Sequence, residues 1–373
     1  MNESEITTGG LRGGRPGREA TTGANVPAGG GGPRRGSAEP QEPAPVTRPG
    51  TDPRRKRRGR RRDEPEFRSY YDLPVINKPV WEAPDIPGYL FLGGLAGGSA
   101  LIGAAAHVTG RRRLATAAKT AAAAAGHLSL LALVHDLGRR GRFLNMLRVF
   151  KVTSPMSVGS WLLAGFVPAA SAAALSGITG RLRPVGAAAT AVSAALGGPV
   201  GAYTAVLIAD TAVPAWHDGH RLMPFVFVSS GLSAAAGLGL LAAPADETAP
   251  LRTLAAGSGL AEVALSKVME HTMGLSGEAY RTGRARKLMR AAEALTLGGA
   301  ALAVVRPHRR LPAAAAGAAL VAGSALARFG IFEAGMVSAE DPKYTVVPQR
   351  ERLERAKARA GGPGGHGGAE AGR

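Results

Sequence analysis

The chain contains no cysteine among its 373 residues. It therefore cannot ligate an iron–sulfur cluster or a thiolate zinc site by itself, and it forms no disulfide. Cysteine usage consequently says nothing about compartment. The first 68 residues hold no apolar core of the kind a cleavable signal peptide needs. Their arginine pairs are followed by no such core either, so the first apolar helix is expected to do the targeting. Acidic residues are scarce, 27 against 46 Lys and Arg, which leaves a formal net charge of +19.

A nucleotide-binding loop is missing too. The stretch Tyr89 to Val108, YLFLGGLAGGSALIGAAAHV, is rich in glycine. It contains no Gly-x-Gly-x-x-Gly and no Gly-Lys-Ser/Thr, the patterns that cradle phosphates. It reads instead as Gly93-x-x-x-Gly97 interleaved with Gly94-x-x-x-Gly98 in an apolar run. A membrane span needs about 20 apolar residues. Small residues at that spacing let helix backbones approach closely in lipid. Haem ligation would need paired axial histidines at matched depth. His107 and His127 are embedded and His271 closes a helix, but no matched pair is evident, so no haem is expected.

What is present divides into distinct compositions. Residues 1–68 are a Gly/Pro/Arg-rich basic tail, expected to be disordered because they have little to bury. Residues 69–87 form a pre-helix interfacial segment, 88–332 a membrane domain, and 333–373 a charged C-terminal tail. The run RRKRRGRRR, Arg54 to Arg62, invites a nucleic-acid reading. Its place just before a membrane domain favours contact with anionic headgroups instead. Membrane lipid is thus an expected partner and nucleic acid is not.

Eight apolar stretches can be delimited: Ile86–Val108, Leu114–Leu137, Pro155–Gly180, Pro184–Val213, Leu222–Ala243, Leu251–Met273, Leu288–Val305 and Leu311–Phe332. Ser154 is placed to cap the third, with Pro155 at its first position. The expected fold is an all-α integral membrane protein of eight transmembrane helices, arranged as two four-helix bundles with disordered tails. Loop Lys and Arg number eleven on the terminal side against ten on the other, which does not decide orientation.

Ionisable groups within spans are functional candidates by default, because charge in lipid is expensive. His135 and Asp136 end the second apolar stretch and are followed by Arg139, Arg140 and Arg142. The structural reading pairs Asp136 with a nearby arginine. The functional reading makes His135 and Asp136 a proton-carrying pair, since a histidine titrates near neutral pH. Tyr203 and Asp210 lie seven residues apart in the fourth stretch, about two helical turns, and so face one side. Glu262, Glu270 and Glu293 are read first as structural acids, with Lys267 and Arg290 as nearby partners. The segment before the first helix carries Trp81, Asp85 and Tyr89 among several prolines and is read as an interfacial anchor or a lid.

Four stretches together carry a resemblance: IPGYLFLGGLAGGSALIG, DLGRRGRFLNMLRVFKVTSPMSVGSW, GGPVGAYTAVLIADTAVPAW and RFGIFEAGMVSAEDPKY. In this order they resemble the NrfD/polysulfide-reductase membrane-subunit family over about residues 70 to 345. The resemblance implies an eight-helix subunit of the cell membrane, without haem, that exchanges electrons with a quinone (menaquinone or ubiquinone). It implies a four-cluster ferredoxin-like iron–sulfur subunit as partner and a molybdopterin catalytic subunit, of formate dehydrogenase or polysulfide/thiosulfate reductase type. It implies a quinone contact at Tyr89, and it places Asp136, Arg142 and Asn145 in the family's loop pattern; with Asp85 and Trp81 of the pre-helix segment, Arg142, Asn145, Tyr203 and Asp210 make up the candidate quinone-binding set around Tyr89. Tyr203 and Asp210 match only loosely. Arg140 stands where the family pattern has proline. Two alternatives stay open at this stage: a redox-independent transporter or proton channel, and a purely structural membrane anchor.

Overall fold

The computed structural model describes residues 6–7, 10–11, 75–79, 81–136, 143–305 and 309–360. Arg142, the basic run 54–62, most of the N-terminal tail and residues 361–373 lie outside the described residues. Within the N-terminal unit, β1 (Ile6–Thr7) pairs antiparallel with β2 (Gly10–Leu11), Ile6 opposite Leu11.

The second unit is helical. Its elements are α1 (Asp85–Val108), α2 (Arg112–Asp136), α3 (Phe143–Met146), α4 (Pro155–Thr179), α5 (Arg183–Ala209) and α6 (Pro214–His217). There follow α7 (Met223–Ala242), α8 (Ala249–Thr272), a 3-10 segment (Gly274–Arg281), α9 (Gly283–Val305), α10 (Arg310–Glu340) and α11 (Lys343–Ala360). Among the described residues, seven helices are long and apolar enough to cross a membrane: α1, α2, α4, α5, α7, α9 and α10. The chain is a multi-pass membrane protein. The stretch expected as the sixth span is present as α8, 24 residues long, but falls outside that set. The reason is charge: Arg252, Glu262, Lys267 and Glu270 all lie on it.

Helix ends follow local chemistry. Ser154 caps α4, its hydroxyl accepting from the Ser157 amide at 3.5 Å, and Pro155 opens the helix. Gly180 ends α4 in the left-handed region at φ 68°, where a side chain would be strained. α5 stops at Ala209, leaving Asp210 at its C-terminal cap rather than inside it. α10 runs past Phe332 to Glu340.

The glycines of α1 explain how it becomes the most central helix. They divide into two rows with different neighbours. A Cβ on Gly97 would run into the backbone of Gly197 on α5, and one on Gly93 would stand 3.1 Å from Thr204 of the same helix. A Cβ on Gly98 would lie 2.6 Å from the Gly231 carbonyl of α7. Gly94 meets the same residue of α7 and the Arg328 side chain, each at 3.5 Å. One row therefore admits α5 and the other α7. α1 also packs on α2, α2 and α5 on α4, and α7 on α8 and α10, with α9 between α8 and α10.

Gly98→Val is expected to unseat α1 from α7. No flexible side chain is there to move aside, so the cost should reach or exceed the 1–3 kcal/mol of ordinary overpacking. Thermal unfolding in detergent would show a lowered midpoint; an unchanged midpoint would mean that the two backbones are not held this closely.

Candidate functional site

Three arrangements of polar side chains interrupt the apolar interior. The first lies where α1 begins and α2 ends. His135 Nδ1 is 2.7 Å from Asp85 Oδ2, which also fixes α1 and α2 as antiparallel. Asp136 is half-buried, takes a hydrogen bond from the Glu82 backbone amide, and feels the charges of Asp85, Glu82 and His135. His135 thus pairs with Asp85 across helices. Asp136 holds a backbone amide, and the arginines expected as its partners, Arg139, Arg140 and Arg142, lie outside the described residues.

The second arrangement is one helical turn further along α1. Tyr89 and Tyr203 join hydroxyl to hydroxyl, both buried. A pair of hydroxyls has two protons, and their mutual bond uses one. The other remains available to a third group. Gly159 of α4 makes room for this contact, because a Cβ there would occupy the ring of Tyr203. The Ser129 hydroxyl holds the backbone of Tyr89 by donating to its carbonyl at 3.3 Å.

Tyr203 also lines a cleft of about 530 Å³ between α4 and α5. Pro155, Val158 and Val206 give it apolar walls, and Asp210, His217 and His220 give it a polar rim. Tyr203 and Asp210 thus share one side, as their spacing requires. His217 Nδ1 faces the Ala209 carbonyl at 3.3 Å and His220 Nδ1 the His217 carbonyl at 2.9 Å.

Trp81 belongs elsewhere. It stacks on Trp216 with ring centroids 5.5 Å apart and lines a separate cleft with Phe332 and Met336. Trp216 is fully buried, donates to the Ile331 carbonyl at 2.9 Å, and fills the space left by Gly335. Tyr280 donates to the Ala215 carbonyl at 2.8 Å. Burial, with Glu270 and Asp218 nearby, pushes its phenol well up, so it stays a donor into alkaline solution. Together these contacts tie α6 and the 3-10 segment to α10. Asn145 is exposed on α3, away from both clefts, and Arg142 lies outside the described residues.

The third arrangement is deeper, among α7, α8 and α10, and it contains a residue that sequence reasoning missed. Arg328 is completely buried in α10. It donates to the Phe227 carbonyl at 2.8 Å and lies 3.8 Å over the centre of the Phe227 ring. Its Nε and Nη1, and Glu262 Oε2 on α8, have no hydrogen-bond partner among the described residues. Ser230 hydrogen-bonds Glu262 and shares a 2.8 Å bond with Ser324. The available signal was a lone arginine within an apolar stretch, a candidate by default. Of the other acids, Glu293 pairs with Lys267 at 2.6 Å and Glu270 faces Arg281 at 3.8 Å.

Glu262, Ser266 and Glu270 follow at intervals of four on one face of α8 and line a cavity of about 20 Å³. Glu270 and Lys267 also border an open cleft of about 580 Å³ with His271, Arg281 and Arg290. Among the described residues, no group of three or more His, Cys, Asp or Glu is arranged to hold a metal ion.

These features define a multi-pass helical membrane protein with titratable side chains at one end of its helices and a tyrosine pair beneath an apolar cleft. A family model described as polysulfide reductase, of NrfD type, matches residues 68–340. The chain belongs to that family and is a membrane subunit of a redox complex. No curated protein matches it.

Proposed function

We propose that this chain is the quinone-interacting, membrane-anchoring subunit of an oxidoreductase of the cell membrane. In this reading it exchanges electrons between an iron–sulfur partner subunit and menaquinone or ubiquinone, with a molybdopterin subunit carrying the substrate chemistry. The carrying observation is the Tyr89–Tyr203 pair, of which Tyr203 lines the cleft. The donor set fits a quinone: apolar walls suit its ring and tail, and Tyr203 offers a hydroxyl to its oxygen. Bound there, a quinone supplies two-electron chemistry coupled to two protons.

The chain's own residues do the rest. Tyr203 orients the head by hydrogen bonding and is held in place by Tyr89. Pro155, Val158 and Val206 exclude water from the ring. Asp136 and the Asp85–His135 pair pass protons between the aqueous face and the start of α1, where Tyr89 lies one turn on from Asp85. We also read α8 as an eighth crossing. Its charges are tolerated because each meets a polar group of the protein: Glu262 the charge of Arg328, Lys267 Glu293 of α9, Glu270 Arg281, and Arg252 the Ala245 carbonyl. The packing partners of the long helices then make two four-helix bundles, α1–α2–α4–α5 and α7–α8–α9–α10.

A photoreactive quinone analogue tests this reading. It is expected to label α4 or α5 near Val158 and Val206, with excess menaquinone competing. Label that does not compete, or that falls only on the outer faces of other helices, would contradict it.

One observation favours a second reading, proton conduction without redox chemistry. The Glu262–Ser266–Glu270 column leads from the open cleft toward Arg328, and its 20 Å³ cavity has room for about one water. Glu262→Gln would then abolish proton flux in vesicles that contain this chain alone. Absence of flux through the wild-type chain alone would remove that reading.

A further inference from the structure

At the end of the helices opposite the Asp85–His135 pair, a cleft of about 490 Å³ opens between α2, α4 and α5. Its charged lining is all basic, Arg112 and Lys119 from α2 and Arg183 from α5, and His107 of α1 lies beside them. Thr116 and Ser176 add hydroxyls, and no carboxylate lines it.

Lys119 is the unusual member. It was counted among the loop cations, yet it sits two turns into α2 with only 6% of its surface exposed. Its Nζ is 3.3 Å from His107 Nδ1, a partner that brings no negative charge. No carboxylate lies within ion-pair distance of it among the described residues. A buried ammonium is costly unless it is paired. Glu247, which reaches the first turn of α2, is already engaged, accepting from the Leu114 amide at 2.7 Å and the Arg113 amide at 3.4 Å. Gly177 lines the cleft beside Lys119.

We propose that this cleft binds a phosphate group, with Lys119 as the inner contact and Arg112 and Arg183 as the outer ones. An anionic phospholipid headgroup and a free phosphate share this chemistry. Basic pockets between membrane helices are suited to the former. The site is separate from the quinone cleft, which lies at the other end of α4 and α5.

The test uses the full chain with any subunits that remain bound, in detergent. Native mass spectrometry would compare phosphatidylglycerol with phosphatidylcholine, and calorimetry would titrate inorganic phosphate. Wild type is expected to retain phosphatidylglycerol in preference to phosphatidylcholine. Lys119→Met and Arg112→Gln should each weaken that retention about fivefold. Arg112 and Arg183 are exposed, so Arg112→Gln and Arg183→Gln serve should Lys119→Met not fold. Binding of inorganic phosphate that the variants lose, without lipid preference, would support the phosphate site and assign a soluble source. Equal retention of both lipids together with no phosphate binding, or retention unchanged in folded variants, would overturn the proposal.

Discussion

Asp136→Asn is expected to remove quinone-linked turnover while the complex still assembles in the membrane. The substitution keeps size and polarity, so the Glu82 amide retains an acceptor. What is lost is a group able to take up and release a proton beside Asp85 and His135. Removing a positioned acid or base costs about 10²- to 10⁴-fold in rate. Tyr203→Phe is the companion variant. It deletes the hydroxyl facing the cleft and leaves Tyr89 buried without its partner. It should therefore raise the quinone concentration needed for half-maximal rate as well as slow turnover, whereas Asp136→Asn should act on the rate alone. Wild-type turnover in Asp136→Asn would take Asp136 out of the mechanism.

The second large effect is on stability. Arg328→Leu removes a buried guanidinium and leaves the carboxylate of Glu262 without a positive neighbour. The two groups feel each other's charge without a hydrogen bond between them, so the loss should stay below the ~3–5 kcal/mol of breaking a buried ion pair. Part of the loss comes from the Phe227 ring and carbonyl that the guanidinium holds. Glu262→Gln keeps a polar partner and should cost less. The double variant Glu262→Gln with Arg328→Leu should recover much of the single-variant loss, because no charge is then stranded. Thermal melts of the four proteins in one detergent measure this directly. Additive losses in the double variant would mean that the two residues do not interact.

Much of this architecture is readable from residue pattern, and the exceptions have physical causes. The glycines of α1 promise close helix contact, but their division between α5 and α7 depends on where those helices sit. Ser154 and Pro155 mark the start of α4 because capping is a local event. Tyr203 and Asp210 share a cleft because seven residues return to the same helix face. The bond between Tyr89 and Tyr203 spans 114 residues and is a product of tertiary packing alone. The same holds for His135, which is next to Asp136 in the chain but bonds to Asp85 across the helix pair. α8 is delimited well by its ends, yet its four charges keep it outside the apolar set. Arg328 escapes notice because neighbouring alanines and glycines dilute its signal. Its depth becomes apparent only once α10 extends to Glu340.

The most direct test of the central claim is the iron and acid-labile sulfide content of the tagged protein purified gently from native membranes, with a dithionite-reduced spectrum. The chain has no cysteine, so any cluster must belong to a bound partner. The account predicts stoichiometric iron and sulfide with no haem band. Intact protein that purifies alone, with neither iron nor sulfide, would contradict it.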